Sequence, residues 1–278
     1  MRPARPHRGG PLMDPRVTLA GFAVGIVSGM SGIGGSSLLA PLLILVVGVP
    51  PTVAVGTDLV YSVPMKLIAA FGHLRQGTVD REVVRRLSIG GVPGTLAGLL
   101  AFWLFRAHAG VAQVDRFERH AIGIVILAAA ASALVLMAVR RLRFGDRSVN
   151  GDDAGRRFDK LGATGIGVTG IGAVVGFLVA LTSIGSGSMT LPLLLLALPA
   201  LGLRSLIGSE IVFGAVIVPI AAVGHTAFAT VDWRLALALA AGAVPGALVG
   251  VRLCGVLNVG LLRPAVMCAL AYAGMKLL

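Results

Sequence analysis

Apolar residues run along this chain in ten blocks separated by short polar or Gly/Pro-rich breaks: 17–31, 36–49, 52–74, 83–105, 120–139, 161–183, 188–201, 204–227, 234–254 and 261–278. A helix rises 1.5 Å per residue, so about 20 apolar residues cross roughly 30 Å of hydrocarbon. Many blocks reach that length, and the pattern predicts an all-α, polytopic integral membrane protein. The blocks at 17–31, 36–49 and 188–201 are short for a crossing. They predict half-helices, a re-entrant pair or one broken helix, which gives eight to ten crossings.

The ten blocks form two sets of five. A shift of 151 residues lays "GIVSGMSGIGGSSLLAPLL" from Gly25 on "GFLVALTSIGSGSMTLPLL" from Gly176. A shift of 152 lays "GTDLV" from Gly56 on "GSEIV" from Gly208, "GHLRQGTVD" from Gly72 on "GHTAFATVD" from Gly224, and "GGVPGTLAG" from Gly90 on "GAVPGALVG" from Gly242. Four matches in order predict a tandem duplication. The expected organisation is a basic tail at 1–16, a first membrane repeat at 17–140, a charged cytoplasmic linker at 141–160 and a second repeat at 161–278. An odd number of crossings per repeat would make the two inverted, and an even number parallel.

Composition agrees with a membrane protein. Of 278 residues, 56% are hydrophobic and 13% charged, against about 25% charged in soluble domains. The net charge is +12, and the basic residues cluster in the tail, in 75–86 and in 140–160. Such clusters in short loops read as cytoplasmic anchors rather than as a nucleic-acid surface. The expected location is a cell membrane, most simply a bacterial inner membrane, with multiple passes. No A-x-A-like site follows the first block, so no cleaved leader is expected. Cys254 and Cys268 have no metal-type spacing, and neither metal nor cofactor is expected.

Chemistry concentrates at the two breaks. "SGIGGSSLLAP" from Ser31 and "TSIGSGSMTLP" from Thr182 place hydroxyls and flexible backbone at membrane depth. Irregular backbone is tolerated there only when buried in protein or lining a cavity. Helix starts after each break would present free amides and the positive end of a dipole. Ser28, Ser31, Gly32, Gly34, Gly35 and Ser36 are therefore candidate substrate contacts in the first copy. Ser183, Gly185, Ser186, Gly187 and Ser188 are those of the second. The ligand expected is a small anion.

Lys66 lies about eight residues from either end it could snorkel to, so it needs water, a partner or a substrate. His73 follows by seven residues and shares its face. Asp58 and Glu210 are equivalent under the 152-residue shift, as are His73 and His225. These four are candidates for proton coupling, and the histidines also for substrate contact. The acids are equally readable as partners of Lys66 or as helix caps. Asp80 and Asp232, in "TVD", are expected to start the next helices.

"SGMSGIGGSSLLAP", "GVPPTVAVGTDL", Lys66 and "GH…G.VD", with the whole unit repeated, resemble the sulfite exporter TauE/SafE family of membrane permeases. The resemblance runs from about Val17 to Leu278, apart from the linker. It puts Ser28, Gly29, Gly32, Gly34 and Gly35 at the family's glycine-rich break, and Lys66 and His73 in its second signature. Ser36 departs from the family's third consecutive glycine. The resemblance implies a secondary transporter of a sulfur oxyanion, sulfite or an organosulfonate. It leaves open the anion, the coupling ion and whether the protein is a homo-oligomer.

Export by alternating access is the leading expectation, and no ATP-binding motif is present. Its rivals are an anion channel or an uptake permease. A further rival is an intramembrane serine hydrolase built on "GSGS" from Gly185 with His225. The duplication of both features argues against an enzyme, which needs one site.

Overall fold

The computed structural model describes residues 15–31, 36–144, 162–198, 201–228, 230–253 and 259–278. Those residues fold into ten α-helices: α1 (Pro15–Ser31), α2 (Ser36–Leu42), α3 (Pro51–Arg75), α4 (Arg81–His108), α5 (Val111–Phe144), α6 (Gly162–Thr182), α7 (Thr190–Ala197), α8 (Leu203–Ala227), α9 (Trp233–Leu253) and α10 (Val259–Leu277). A π-helical turn, Leu43–Val47, continues α2 and ends at Gly48, whose φ is +78°. Among the described residues, four helical stretches are long and apolar enough to cross a membrane: Pro51–Arg75, Arg81–His108, Val111–Leu134 and Leu203–Ala227. Ile89, Leu96, Leu100 and Trp103 of α4 lie exposed along one flank, as expected of a face turned to lipid tails.

Local signals set the helix ends. Pro50 and Pro51 open α3, where a missing N–H costs no intrahelical bond. The Asp80 carboxylate accepts the amides of Glu82 and Val83, both at 3.0 Å, and so caps α4. Asp232 does the same for α9 through Arg234 and Leu235, at 3.0 and 3.1 Å. Both aspartates are helix starts, as their sequence context predicts. Helix α5 begins at Val111, nine residues before the apolar block, because its first turns are amphipathic rather than apolar.

Glycine brings the helices into backbone contact. A methyl group on Gly90 of α4 would stand 1.9 Å from the Thr169 carbonyl oxygen of α6, and one on Gly172 of α6 would stand 2.2 Å from that of Leu87. The α1–α9 pair is built alike: a methyl on Gly242 would stand 2.0 Å from the Thr18 carbonyl oxygen, and one on Gly21 would stand 2.7 Å from that of Leu239. In membranes such small-residue seams supply the van der Waals contact that drives association. Both pairs run parallel, since rising numbers on one helix meet rising numbers on the other.

Helices α3 and α8 run antiparallel. Gly208, near the start of α8, packs on the Thr78 carbonyl beyond the end of α3, and Gly56, near the start of α3, packs on Thr230 beyond the end of α8. Two hydrogen bonds repeat that exchange. The Asp80 amide donates to Ser209 Oγ at 2.9 Å, and the Asp232 amide to Thr57 Oγ1 at 3.1 Å. Helix α5 lies against α3, α6, α7 and α10. The core cluster that includes Ile122, Val125, Val175, Val179, Ile184 and Met189 joins it to the second break.

Candidate functional site

The second break occupies 183–189, between α6 and α7. Thr182 ends α6 by donating its hydroxyl to the Leu178 carbonyl at 2.8 Å and accepting the Ile184 amide at 3.3 Å. Ser183 then adopts φ +59° and Gly185 φ +131°. The latter is a conformation that side chains with a Cβ rarely reach, so glycine is required there. The Gly185 carbonyl collects the Thr190 hydroxyl at 2.9 Å and the Thr190 amide at 3.1 Å, which seats the start of α7.

Every residue from Val179 to Thr190 is buried. Ser183, Ser186 and Ser188 each hold a buried hydroxyl oxygen without a hydrogen-bond partner. Neither Ser186 nor Ser188 caps the helix: α7 has no side-chain cap, and both hydroxyls lack a hydrogen-bond partner. Buried polar groups are nearly always satisfied. These three hydroxyls lie within six residues of one another.

Facing the break is α3. Asp58 is fully buried, with neither carboxylate oxygen hydrogen-bonded. The polar groups that act on it are the Ser183 hydroxyl and the Lys66 ammonium. Two turns further along α3, Lys66 Nζ stands 3.3 Å from Glu210 Oε1 of α8, with side-chain exposures of 12% and 1%. Gly214 makes room for this ammonium: a methyl there would meet Nζ at 2.9 Å. Of the roles open to Lys66, pairing with a buried acid is the one seen. That acid comes from the other half of the chain.

The histidines serve the turns beside the site. His73 Nδ1 is 2.8 Å from Thr78 Oγ1, and His225 Nδ1 is 3.0 Å from Thr230 Oγ1, each fastening the turn that follows its own helix. His225 is fully buried, its Nε2 lies 2.8 Å from the Ala180 carbonyl oxygen, and its ring stacks on Phe102 at 4.9 Å. With Nε2 donating to a carbonyl, Nδ1 is left to accept from Thr230. Both nitrogens are engaged, and Ser186 is not among their partners. His225 thus holds the end of α6 three residues before Ser183.

In the first copy, Gly32, Gly34 and Gly35 lie outside the described residues, as do the side chains of Ser28, Ser31 and Ser36. No group of three or more His, Cys, Asp or Glu side chains is assembled for a metal ion among the described residues.

Sequence reading overlooked one buried acid, Glu118, at 0% exposure with both oxygens unpartnered. The signal was present. Glu118 falls in the helical series Val114, Ile122, Val125 and Ala129, all of them buried.

Comparison with known proteins assigns the chain. The family model described as sulfite exporter TauE/SafE matches residues 17–277. The chain belongs to the sulfite exporter TauE/SafE family. Its relatives include the Bacillus subtilis (strain 168) protein described as probable membrane transporter protein YjnA, 35% identical over 242 residues, 87% of this chain and 90% of that one. A second B. subtilis protein, described as probable membrane transporter protein YunE, is 27% identical over 255 residues, 87% of each chain. A third, YdhB, described in the same words, is 24% identical over 265 residues. No solved structure matches. This family member is a multi-pass membrane transporter, in keeping with the four long apolar helices among the described residues.

Proposed function

We propose that this transporter exports a small sulfur oxyanion, such as sulfite or an organosulfonate, by alternating access. Its binding groups are Lys66 and the Gly/Ser-rich breaks. The observation that carries the reading is an ammonium held in the core by a gap at Gly214 and paired with Glu210 at 3.3 Å. Charge-assisted N–H···O contacts close to about 2.7–2.9 Å when fully formed. A pair this long is loosely engaged, and an incoming oxyanion can take Glu210's place.

Sulfite or a sulfonate offers several acceptor oxygens and no donor in its ionised form. The Lys66 ammonium and the hydroxyls of Ser183, Ser186 and Ser188 are the matching donors. Glu210, displaced by substrate and restored on its release, acts as the internal counter-ion that resets the site.

The two halves are read as inverted repeats. In support, the Gly90–Thr169 contact recurs as Gly242–Thr18, Gly208–Thr78 recurs as Gly56–Thr230, and Asp80–Ser209 recurs as Asp232–Thr57, each with roles exchanged. The antiparallel course of α3 and α8, equivalent helices of the two halves, supports inversion rather than parallel repetition. Rocking of one half on the other would expose the break to each side in turn. The basic turn at 75–86 is assigned to the cytoplasm.

Equilibrium binding of radiolabelled sulfite to purified protein, with sulfate, thiosulfate, taurine and sulfoacetate as competitors, tests the reading. Saturable binding that Lys66→Ala abolishes without unfolding the protein is expected. Binding by folded Lys66→Ala at wild-type affinity would overturn the site.

A further inference from the structure

One buried acid plays no part in the site above. Glu118 projects from the core face of α5 with 0% exposure, and neither oxygen has a hydrogen-bond partner. The groups around it are Thr52, in the first turn of α3, and Asp115, on its own helix one turn back. The Thr52 hydroxyl has a single proton and gives it to Asp115 Oδ1, which also takes the Thr52 amide at 3.3 Å. That one hydroxyl proton is all that the two acids have between them. The cation that acts on Glu118 is Arg106 of α4, whose side chain is exposed and so screened by solvent.

A carboxylate in that setting is costly to bury without a positive partner. The place therefore calls for a cation. A metal ion wants more ligands than Asp115, Glu118 and Thr52 supply, and no larger cluster is assembled among the described residues. A proton needs no ligand beyond the carboxyl itself. The place also suits traffic. Glu118 stands at the end of the bundle where α3 begins, and Asp58 lies six residues further along α3, about 9 Å at helical rise. The 152-residue shift puts buried Leu270 at the equivalent position, so the chain carries this acid in its first half alone.

We propose that Glu118 is the coupling-proton site of the transport cycle. It binds a proton in one conformation and gives it up in the other to water at that end of the bundle. The bond broken is the carboxyl O–H, the proton passes to water, and nothing is oxidised or reduced. Asp115 and Arg106 are the charged groups that set its readiness to do so. The proposal rests on the reading of the protein as an anion carrier.

The test uses full-length protein in proteoliposomes with the membrane potential clamped. Sulfite counterflow at equal pH and net sulfite flux under an imposed pH gradient are both recorded. Wild type is expected to show counterflow and a flux accelerated severalfold by the gradient. Glu118→Gln is expected to keep counterflow within about twofold and to lose the acceleration. Glu118→Asp is expected to keep both with a displaced pH profile. That last variant carries the test if Glu118→Gln fails to fold, and an unchanged profile would then overturn the proposal.

A gradient response retained by Glu118→Gln overturns it. So does loss of counterflow together with the response, which would make Glu118 a binding or packing residue. Wild-type counterflow with no gradient response overturns the coupling site and leaves the carrier standing. Absence of counterflow from folded wild type removes the carrier reading itself.

Discussion

Replacing Glu210 by Gln separates two roles that the ion pair could have. The carboxylate oxygen lies 3.3 Å from Lys66 Nζ, at 1% side-chain exposure. At an effective dielectric constant near 20, two unit charges at that distance attract by about 5 kcal/mol. Gln keeps the shape and removes the charge, so the ammonium of the empty protein loses its partner. Breaking a buried pair in this way costs roughly 3–5 kcal/mol, and the unliganded variant should melt well below wild type. Substrate, however, no longer competes with Glu210. If a quarter of the lost attraction had opposed binding, affinity rises about tenfold, since 1.4 kcal/mol is one decade. Radiolabelled sulfite binding and thermal unfolding in detergent, each with and without sulfite, read both effects. The expected result is a less stable empty protein that binds sulfite about tenfold more tightly and gains more from it. Sulfite binding that is unchanged or weaker in folded Glu210→Gln would refute displacement of Glu210 by the anion.

Four further outcomes follow from the break and the helix packing. Ser186→Ala and Ser188→Ala remove buried hydroxyls without a hydrogen-bond partner, so thermal stability should hold or rise while sulfite affinity falls severalfold; the opposite pattern would make them packing residues. Gly185→Ala forces a Cβ onto φ +131° and should cost about 1–3 kcal/mol, visible as a lower unfolding midpoint. Gly90→Ala drives a methyl to 1.9 Å from the Thr169 carbonyl and should cost about 1–3 kcal/mol by overpacking. Gly72→Ala, with open space around it, should be neutral or better in the same unfolding assay.

The helical framework was legible because lipid leaves the backbone few options. An apolar block must satisfy its own N–H and C=O groups, and the helix is the local way to do so. Hence 204–227 is matched by α8 at Leu203–Ala227, and 234–254 by α9 at Trp233–Leu253. Block 120–139 gave the wrong start for α5, because Asp115, Arg116, Glu118 and Arg119 dilute apolarity while keeping helical period. That dilution also hid Glu118. The Gly/Ser break at 183–189 was legible from its glycines and hydroxyls, since Gly185 occupies backbone space closed to other residues. The pairing of Lys66 with Glu210 was one of several readings, because the two lie 144 positions apart and only the antiparallel packing of α3 on α8 brings them together. The threonines that meet Nδ1 of His73 and His225, Thr78 and Thr230, sit five residues on. A turn that folds back on its own helix end is invisible to facial periodicity.

On the function proposed above, this TauE/SafE family member carries a sulfur oxyanion by alternating access. Counterflow of radiolabelled sulfite in proteoliposomes tests it most directly, with unlabelled sulfite, taurine, sulfoacetate, sulfate or thiosulfate trapped inside. Uptake stimulated by internal sulfite or a sulfonate, and lost in Lys66→Ala, is the predicted result. Flux that is neither saturable nor stimulated from the opposite side would contradict the carrier, and stimulation only by an anion without sulfur would contradict the substrate.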